Sequence, residues 1–244
     1  MDIKEINNLY IKIQRNYLEH QLRDKEIIEK AITFFNQYYN LVEHPFTPED
    51  AEKLSNLNFS IKMDFLHWSA CNPKSEDEIN QFYRNTPFEF FKNLFKNMDI
   101  MHYEKIIGEQ VLPELKKNNC KTVLDYGGGS GYQAILLNKL GFKVSFAEIN
   151  KISVEWMRYL TKELNIDIEV IDLWEKEIEN NYDMIILKDV LEHLPSVDHA
   201  KHIVNLVGKL SKKTKTLLIV PDKVDKEEDY LPMHSCYELQ FKNG

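Results

Sequence analysis

From residue 121 onward the chain alternates short β-branched runs with amphipathic stretches of helical period, and no other feature of its 244 residues restricts the fold as much. "KTVLDY" reads as a strand, "SGYQAILLNKLG" as a helix closed by Gly141, and "FKVSFAEIN" as a second strand. The helix "ISVEWMRYLTKEL", the strands "IEVID" and "YDMIILKD", a helix from about Ser196 to Leu210 and the strand "TLLIVP" follow. Strands at this spacing pair in parallel through right-handed crossovers. The expected fold class is therefore α/β, a Rossmann-like, doubly wound, mostly parallel sheet, preceded by an N-terminal helical segment. In such sheets ligands sit beyond the carboxyl ends of the strands. The residues that follow each strand are thus the ones to inspect.

The first strand ends in "VLDYGGGSGY", residues 123–132, which holds four of the eight glycines in the chain. Asp125, Gly127, Gly129 and Gly131 are spaced D-x-G-x-G-x-G. Glycine lets a ligand approach the main chain where a side chain would collide, so the turn is expected to pack against one. Glu148 ends the second strand, where a carboxylate can accept ribose hydroxyls. Gly129, Gly131 and Ala134 also satisfy the dinucleotide fingerprint G-x-G-x-x-A, with Glu148 in the place of its acid. The glycines alone leave a nicotinamide cofactor and another adenosine-bearing cofactor both open. Asp125 argues against the first, because a fixed negative charge at the mouth of the turn repels a pyrophosphate and can orient an ammonium. The third strand delivers Asp172 and Leu173, suited to the exocyclic amine and the ring of adenine. The fourth delivers Lys188, Asp189, Glu192 and His193 to the same edge.

Residues up to about Gly108 read as consecutive helices. Three starts pair a hydroxyl cap with an acid three residues on: Thr47 with Asp50, Ser75 with Glu78, and Thr86 with Glu89. Pro48 and Pro87 follow their caps, where a missing N–H costs nothing. This half also holds 17 of the 28 aromatic residues, which fits either an aromatic helical core or an aromatic-lined lid over a ligand.

"VLDYGGGSG", "AEIN", "IDLW" and "YDMIILKDVLEHLP" together resemble the four motifs of the class I S-adenosylmethionine-dependent methyltransferases, over roughly residues 105–222. The resemblance implies a division into a helical lid or substrate-binding region, residues 1–108, and a cofactor domain, residues 109–244. It implies S-adenosylmethionine as cofactor and S-adenosylhomocysteine as product. Gly127 and Gly129 would lie under the methionine moiety in that scheme, with Gly131 also binding the cofactor and Asp125 helping to hold the amino group. Glu148 would bind the ribose, Asp172 and Leu173 the adenine, and Asp189 would sit close to the sulfonium. "FYRNTPFEF" and the P-x-H of Pro232, Met233 and His234 are similar to segments of a bacterial subgroup. The family sheet has seven strands, the last two an antiparallel hairpin. Here "YELQFKNG" offers a sixth strand and a seventh has little room, so the hairpin is expected to be reduced or replaced, or the chain is cut short.

The expected reaction is in-line methyl transfer to oxygen or nitrogen of a small-molecule or peptide acceptor. A base is needed only if the acceptor must lose a proton, and His193 and His234 are the candidates, because imidazole titrates near neutral pH. Trp68, Tyr83 and Arg84 are expected to bind the acceptor from the lid. His199 and His202 are spaced i, i+3 without a third ligand and read as surface residues, so no metal is expected. Two alternatives are an NAD(P)-dependent oxidoreductase and a non-catalytic S-adenosylmethionine-binding protein whose helical half docks a partner. The net charge of -8 is spread over both halves, with 13 basic and 17 acidic residues up to 108 and 18 and 22 after it. That disfavours a nucleic-acid partner. No apolar run approaches membrane-spanning length. With three scattered cysteines and no basic-then-apolar leader, the expected compartment is the cytoplasm. Oligomeric state is not legible.

Overall fold

The computed structural model describes residues 28–50, 63, 66–87, 94, 106–211 and, as backbone, 216–219. Five strands form one parallel sheet: β1 (Thr122–Tyr126), β2 (Lys143–Glu148), β3 (Ile168–Asp172), β4 (Met184–Lys188) and β5 (Thr216–Ile219), in the order β3-β2-β1-β4-β5. Each falls on a run that the sequence marks as a strand. The order reverses between β1 and β4, so the glycine turn after β1 sits at the switch point, where such sheets open a crevice. Register brings Glu148 beside Asp172 and Asp125 beside Phe146 and Ile186.

Strand side chains alternate between two buried faces. Val123, Val144, Phe146, Met184 and Ile186 pack against helices α2 (Leu112–Lys117), α3 (Tyr132–Lys139) and α4 (Lys151–Glu163). Leu124, Tyr126, Ala147, Ile185 and Leu187 meet Ala200, Ile203 and Val207 of α5 (Val197–Leu210) on the other face. Helices on both faces make the sheet doubly wound, as expected. Residues 173–183, between β3 and β4, contain no helix. This irregular connection leaves the flank of α5 open to the strand ends.

Among the described residues the N-terminal aromatics divide between the two roles left open by the sequence. In the helical stretch 28–38, Phe34 and Phe35 are buried in the main core, and the Phe34 ring meets Trp156 edge-on at 5.5 Å. Helix α1 (Glu76–Asn85) instead reaches the strand ends. It opens on the Ser75–Glu78 capping box, both halves of which are formed. The Thr47–Asp50 pair is likewise reciprocal, with Thr47 N donating to Asp50 Oδ2 at 3.0 Å and Asp50 N to Thr47 Oγ1 at 3.3 Å. Thr86 closes α1, and its hydroxyl lies 3.0 Å from His67 Nδ1. Glu89, its expected partner, falls outside the described residues, as do "YELQFKNG", Pro232 and His234. Among the described residues no helix is long and apolar enough to cross a membrane.

Candidate functional site

The glycine turn is pinned from below and from the side. Gly127 N donates to Ala147 O at 2.8 Å, and Gly131 N to Gly128 O at 2.9 Å. Gly128, which the alternate spacing passes over, lies flat on the Phe146 ring, and a Cβ there would stand 2.6 Å from the ring carbons and 2.9 Å from Asp125 Oδ2. Glu148 holds the turn's open side. Its Oε2 accepts Gly129 N at 2.8 Å, and its Oε1 accepts Ile149 N at 2.7 Å and Asn150 N at 2.9 Å. One carboxylate thereby fixes both the turn after β1 and the chain leaving β2.

Asp125 departs from the expected position. It lies behind the turn rather than at its mouth, only 2% exposed, with Gln133 Nε2 donating to Oδ1 at 2.7 Å and no partner on the buried Oδ2. Burial pushes its carboxyl up to about 7, with the Gln133 bond opposing the rise and Glu148 adding to it. A native pKa above the unfolded value means the native state binds the proton more tightly. Folding stability from this group therefore falls as pH rises from about 4 to about 7 and is level above that. Asp125→Asn removes the titration, so the variant should gain on the wild type across that window in urea unfolding. A stability difference that stays flat with pH would contradict this.

Asp172 and Arg84 also depart from their expected places, because they meet each other. Arg84 Nη1 and Nη2 donate to the two Asp172 carboxylate oxygens at 2.8 and 2.9 Å, and Nη1 also donates to Ile149 O at 2.8 Å. Both side chains are buried, at 8% and 1% exposure. Arg84 is thus turned into the β2–β3 edge and does not line the cavity above the strand ends. Asn150 adds a second tie: its amide donates to Tyr83 O and Thr86 O at 2.7 and 2.8 Å, while its Oδ1 caps α4 by accepting Ser153 N at 3.2 Å. Trp68 packs edge-on against Phe82 at 4.9 Å between ring centroids, and it supports α1 without reaching the cavity wall.

Above the strand ends lies a cavity of about 810 Å³. Its walls include Gly127, Gly129 and Glu148 from the first two strand ends, Leu173 from the third, and Asp189 and His193 from the fourth. Asp189 adopts a left-handed backbone conformation, φ 52°, and its carboxylate is bonded by Lys188 Nζ. Tyr83 closes the cavity from α1, its hydroxyl 3.1 Å from His193 Nδ1. The structure therefore brings together one residue expected for acceptor binding and one expected as a base. His199 and His202, read from the sequence as surface residues, line the same cavity with Ile203 and Leu206; His202 is also exposed, as read, whereas His199 is half-buried. Burial lowers the His199 pKa, which keeps the imidazole neutral near pH 7. Their i, i+3 spacing shows that they share a helix face; it cannot show that the irregular 173–183 connection leaves that face open. Among the described residues no group of three His, Cys, Asp or Glu is placed to hold a metal ion.

Fit to an adenosine-bearing cofactor is good on three counts. Bare glycine backbone lies at the switch point, an acid ends β2, and Ile149, Leu173, Val190 and Leu194 supply apolar wall for a planar ring. The fold and this cavity define a Rossmann-like domain whose strand ends are shaped for a nucleoside-type ligand. A family model described as a methyltransferase domain matches residues 101–238, more than half of the sequence, and the chain belongs to that family, the class I S-adenosylmethionine-dependent methyltransferases. The two adenosine cofactors left open by the glycines are thereby separated in favour of S-adenosylmethionine. Among relatives, a probable S-adenosyl-L-methionine-dependent methyltransferase TehB of Haemophilus influenzae is 27% identical over 183 residues, 70% of this chain and 58% of that protein. The ribosomal RNA small subunit methyltransferase G of Borrelia recurrentis is 24% identical over 145 residues, 58% of this chain and 65% of that protein. The chain thus spans about three fifths of the length of these relatives. A magnesium protoporphyrin IX methyltransferase from Synechocystis, solved with S-adenosylhomocysteine, superposes with a TM-score of 0.46 at 18% identity, over 57% of this chain and 68% of that one.

Proposed function

We propose that this chain transfers the methyl group of S-adenosylmethionine to oxygen or nitrogen of a small-molecule or peptide acceptor held beneath α1. The observation that carries the proposal is the Tyr83–His193 pair, which faces the glycine turn across one lidded cavity. When bound, the cofactor supplies an electrophilic methyl on a sulfonium whose departure leaves a neutral thioether. The chain's task is then to hold the acceptor in line and keep water out. Tyr83 and His193 would do both at the acceptor end. When Nδ1 carries the imidazole proton and donates to the tyrosine oxygen, the lone pair belongs to Nε2, the atom that would take a proton from the acceptor. Ile203 and Leu206 supply apolar wall, and His199 and His202 add hydrogen-bonding groups to it. That wall suits a compact acceptor with a polar handle better than a polyanion. A division at about residue 108 would make α1 the lid over the cofactor sheet, although the helical stretch 28–38 before it packs into that sheet's core.

The test is a screen of small hydroxyl and amine acceptors for S-adenosylhomocysteine release, repeated with Tyr83→Phe and His193→Ala. Removal of the base should lower turnover by about 10²- to 10⁴-fold with cofactor affinity retained. Unchanged turnover in His193→Ala would rule out the base assignment. The relative named for ribosomal RNA makes RNA an acceptor to include in the screen. Methylation of RNA alone would overturn the small-acceptor reading.

A further inference from the structure

We infer that Asp172 anchors the lid through Arg84 and does not read the exocyclic amine of the cofactor's adenine. The inference rests on the S-adenosylmethionine reading of the cavity and reassigns one of its residues. A carboxylate has about four acceptor positions, and three at Asp172 are filled by protein. Oδ1 accepts Arg84 Nη1 at 2.8 Å and Trp174 N at 3.0 Å, and Oδ2 accepts Arg84 Nη2 at 2.9 Å. The group is 1% exposed, and its neighbours Leu173 and Trp174 line the cavity while Asp172 does not. The guanidinium lies between the carboxylate and α1, fitted to it as a parallel fork, the geometry in which such pairs are strongest. The one position left, on Oδ2, belongs to a buried group that does not line the cavity, so an amine donor could reach it only by opening the Arg84 contact, which would leave a buried cation without its partner.

Lid anchoring accounts for the same contacts without that conflict. Arg84 adjoins Tyr83, and the Arg84 bonds to Asp172 and Ile149 O work with the Asn150 bonds to Tyr83 O and Thr86 O. Together they clamp the end of α1 to the β2–β3 edge and set the Tyr83 ring beside His193. Arg84 is therefore a positioning residue. The purine would be held by contact with the apolar wall of Ile149, Leu173, Val190 and Leu194, which does not distinguish a 6-amino group from hydrogen.

Two ligands separate the roles: S-adenosylhomocysteine, and its analogue with unsubstituted purine in place of adenine. Calorimetric titration of the wild-type protein should give affinities within about threefold of each other, whereas a site built to bond the amine rejects the analogue strongly. Arg84→Met with Asp172→Leu removes both charges together, so neither is left buried and unpaired. In that pair variant both ligands should weaken by a common factor, leaving their ratio unchanged. A wild-type preference of tenfold or more for the amine, lost in the pair variant, would overturn the inference. A preference that the variant retains would put the amine's partner elsewhere and leave Asp172 with the lid. Arg84→Gln with Asp172→Asn, which removes both charges and keeps a polar pair, serves the same comparison should the first variant not fold. Binding of neither ligand to the wild-type protein would overturn the cofactor reading itself and the inference with it.

Discussion

Gly131→Ala should lower folding stability by about 3 kcal/mol, the sum of left-handed backbone strain and overpacking. Gly131 has φ +75° at the start of α3, and a Cβ there would stand 1.9 Å from Met157 Sδ and 2.8 Å from its Cγ. A flexible methionine would ordinarily yield, but Met157 is fully buried among Phe146, Trp156 and Leu160 and has nowhere to go. A domain of this size loses about 2–4 °C in Tm per kcal/mol, so the melting temperature should drop by roughly 6–12 °C. Gly141→Ala is the internal control, since Gly141 shares the positive φ, +91°, but a Cβ there would meet nothing within 4 Å. It should show the strain alone, about 1–2 kcal/mol. Equal losses at the two positions would mean that Met157 does not brace the turn.

Glu148→Ala should weaken S-adenosylhomocysteine binding by about 30-fold or more and also destabilise the fold by about 3 kcal/mol. Both effects have one cause. Gly129 N, Ile149 N and Asn150 N all lose their acceptor, and the turn that would lie under the ligand loses its brace. Glu148→Gln keeps one acceptor oxygen and should fall between the two in both measurements. Titration and chemical unfolding of the same samples separate affinity from stability. A variant that unfolds earlier but binds as tightly once folded would assign Glu148 to the turn alone.

Much of the fold is legible in the sequence because its causes are local. Alternation of Val123 with Leu124, or Val144 with Ser145, follows from a pleat that buries two faces, and the capping boxes at Thr47 and Ser75 need only residues three apart. The glycine turn is legible for the same reason. What escapes depends on tertiary placement. The Arg84–Asp172 bond joins residues 88 positions apart, and nothing in either neighbourhood marks the pairing. Asn150 is readable as a helix cap before "ISVEW", but its amide reaches back 64 and 67 residues to the end of α1. Asp125 precedes the glycines and so reads as lying at the mouth of the turn. Strand alternation instead turns it to the Phe146 face, where Gly128 covers it.

Calorimetric titration of the wild-type protein with S-adenosylmethionine and, separately, with NAD shows which of the two cofactors the glycine turn accepts. Stoichiometric binding of S-adenosylmethionine at micromolar affinity, with no heat from NAD, is the predicted result, since such affinity corresponds to about -8 kcal/mol and lies within reach of a cavity of this kind. Binding of NAD without S-adenosylmethionine would contradict the account.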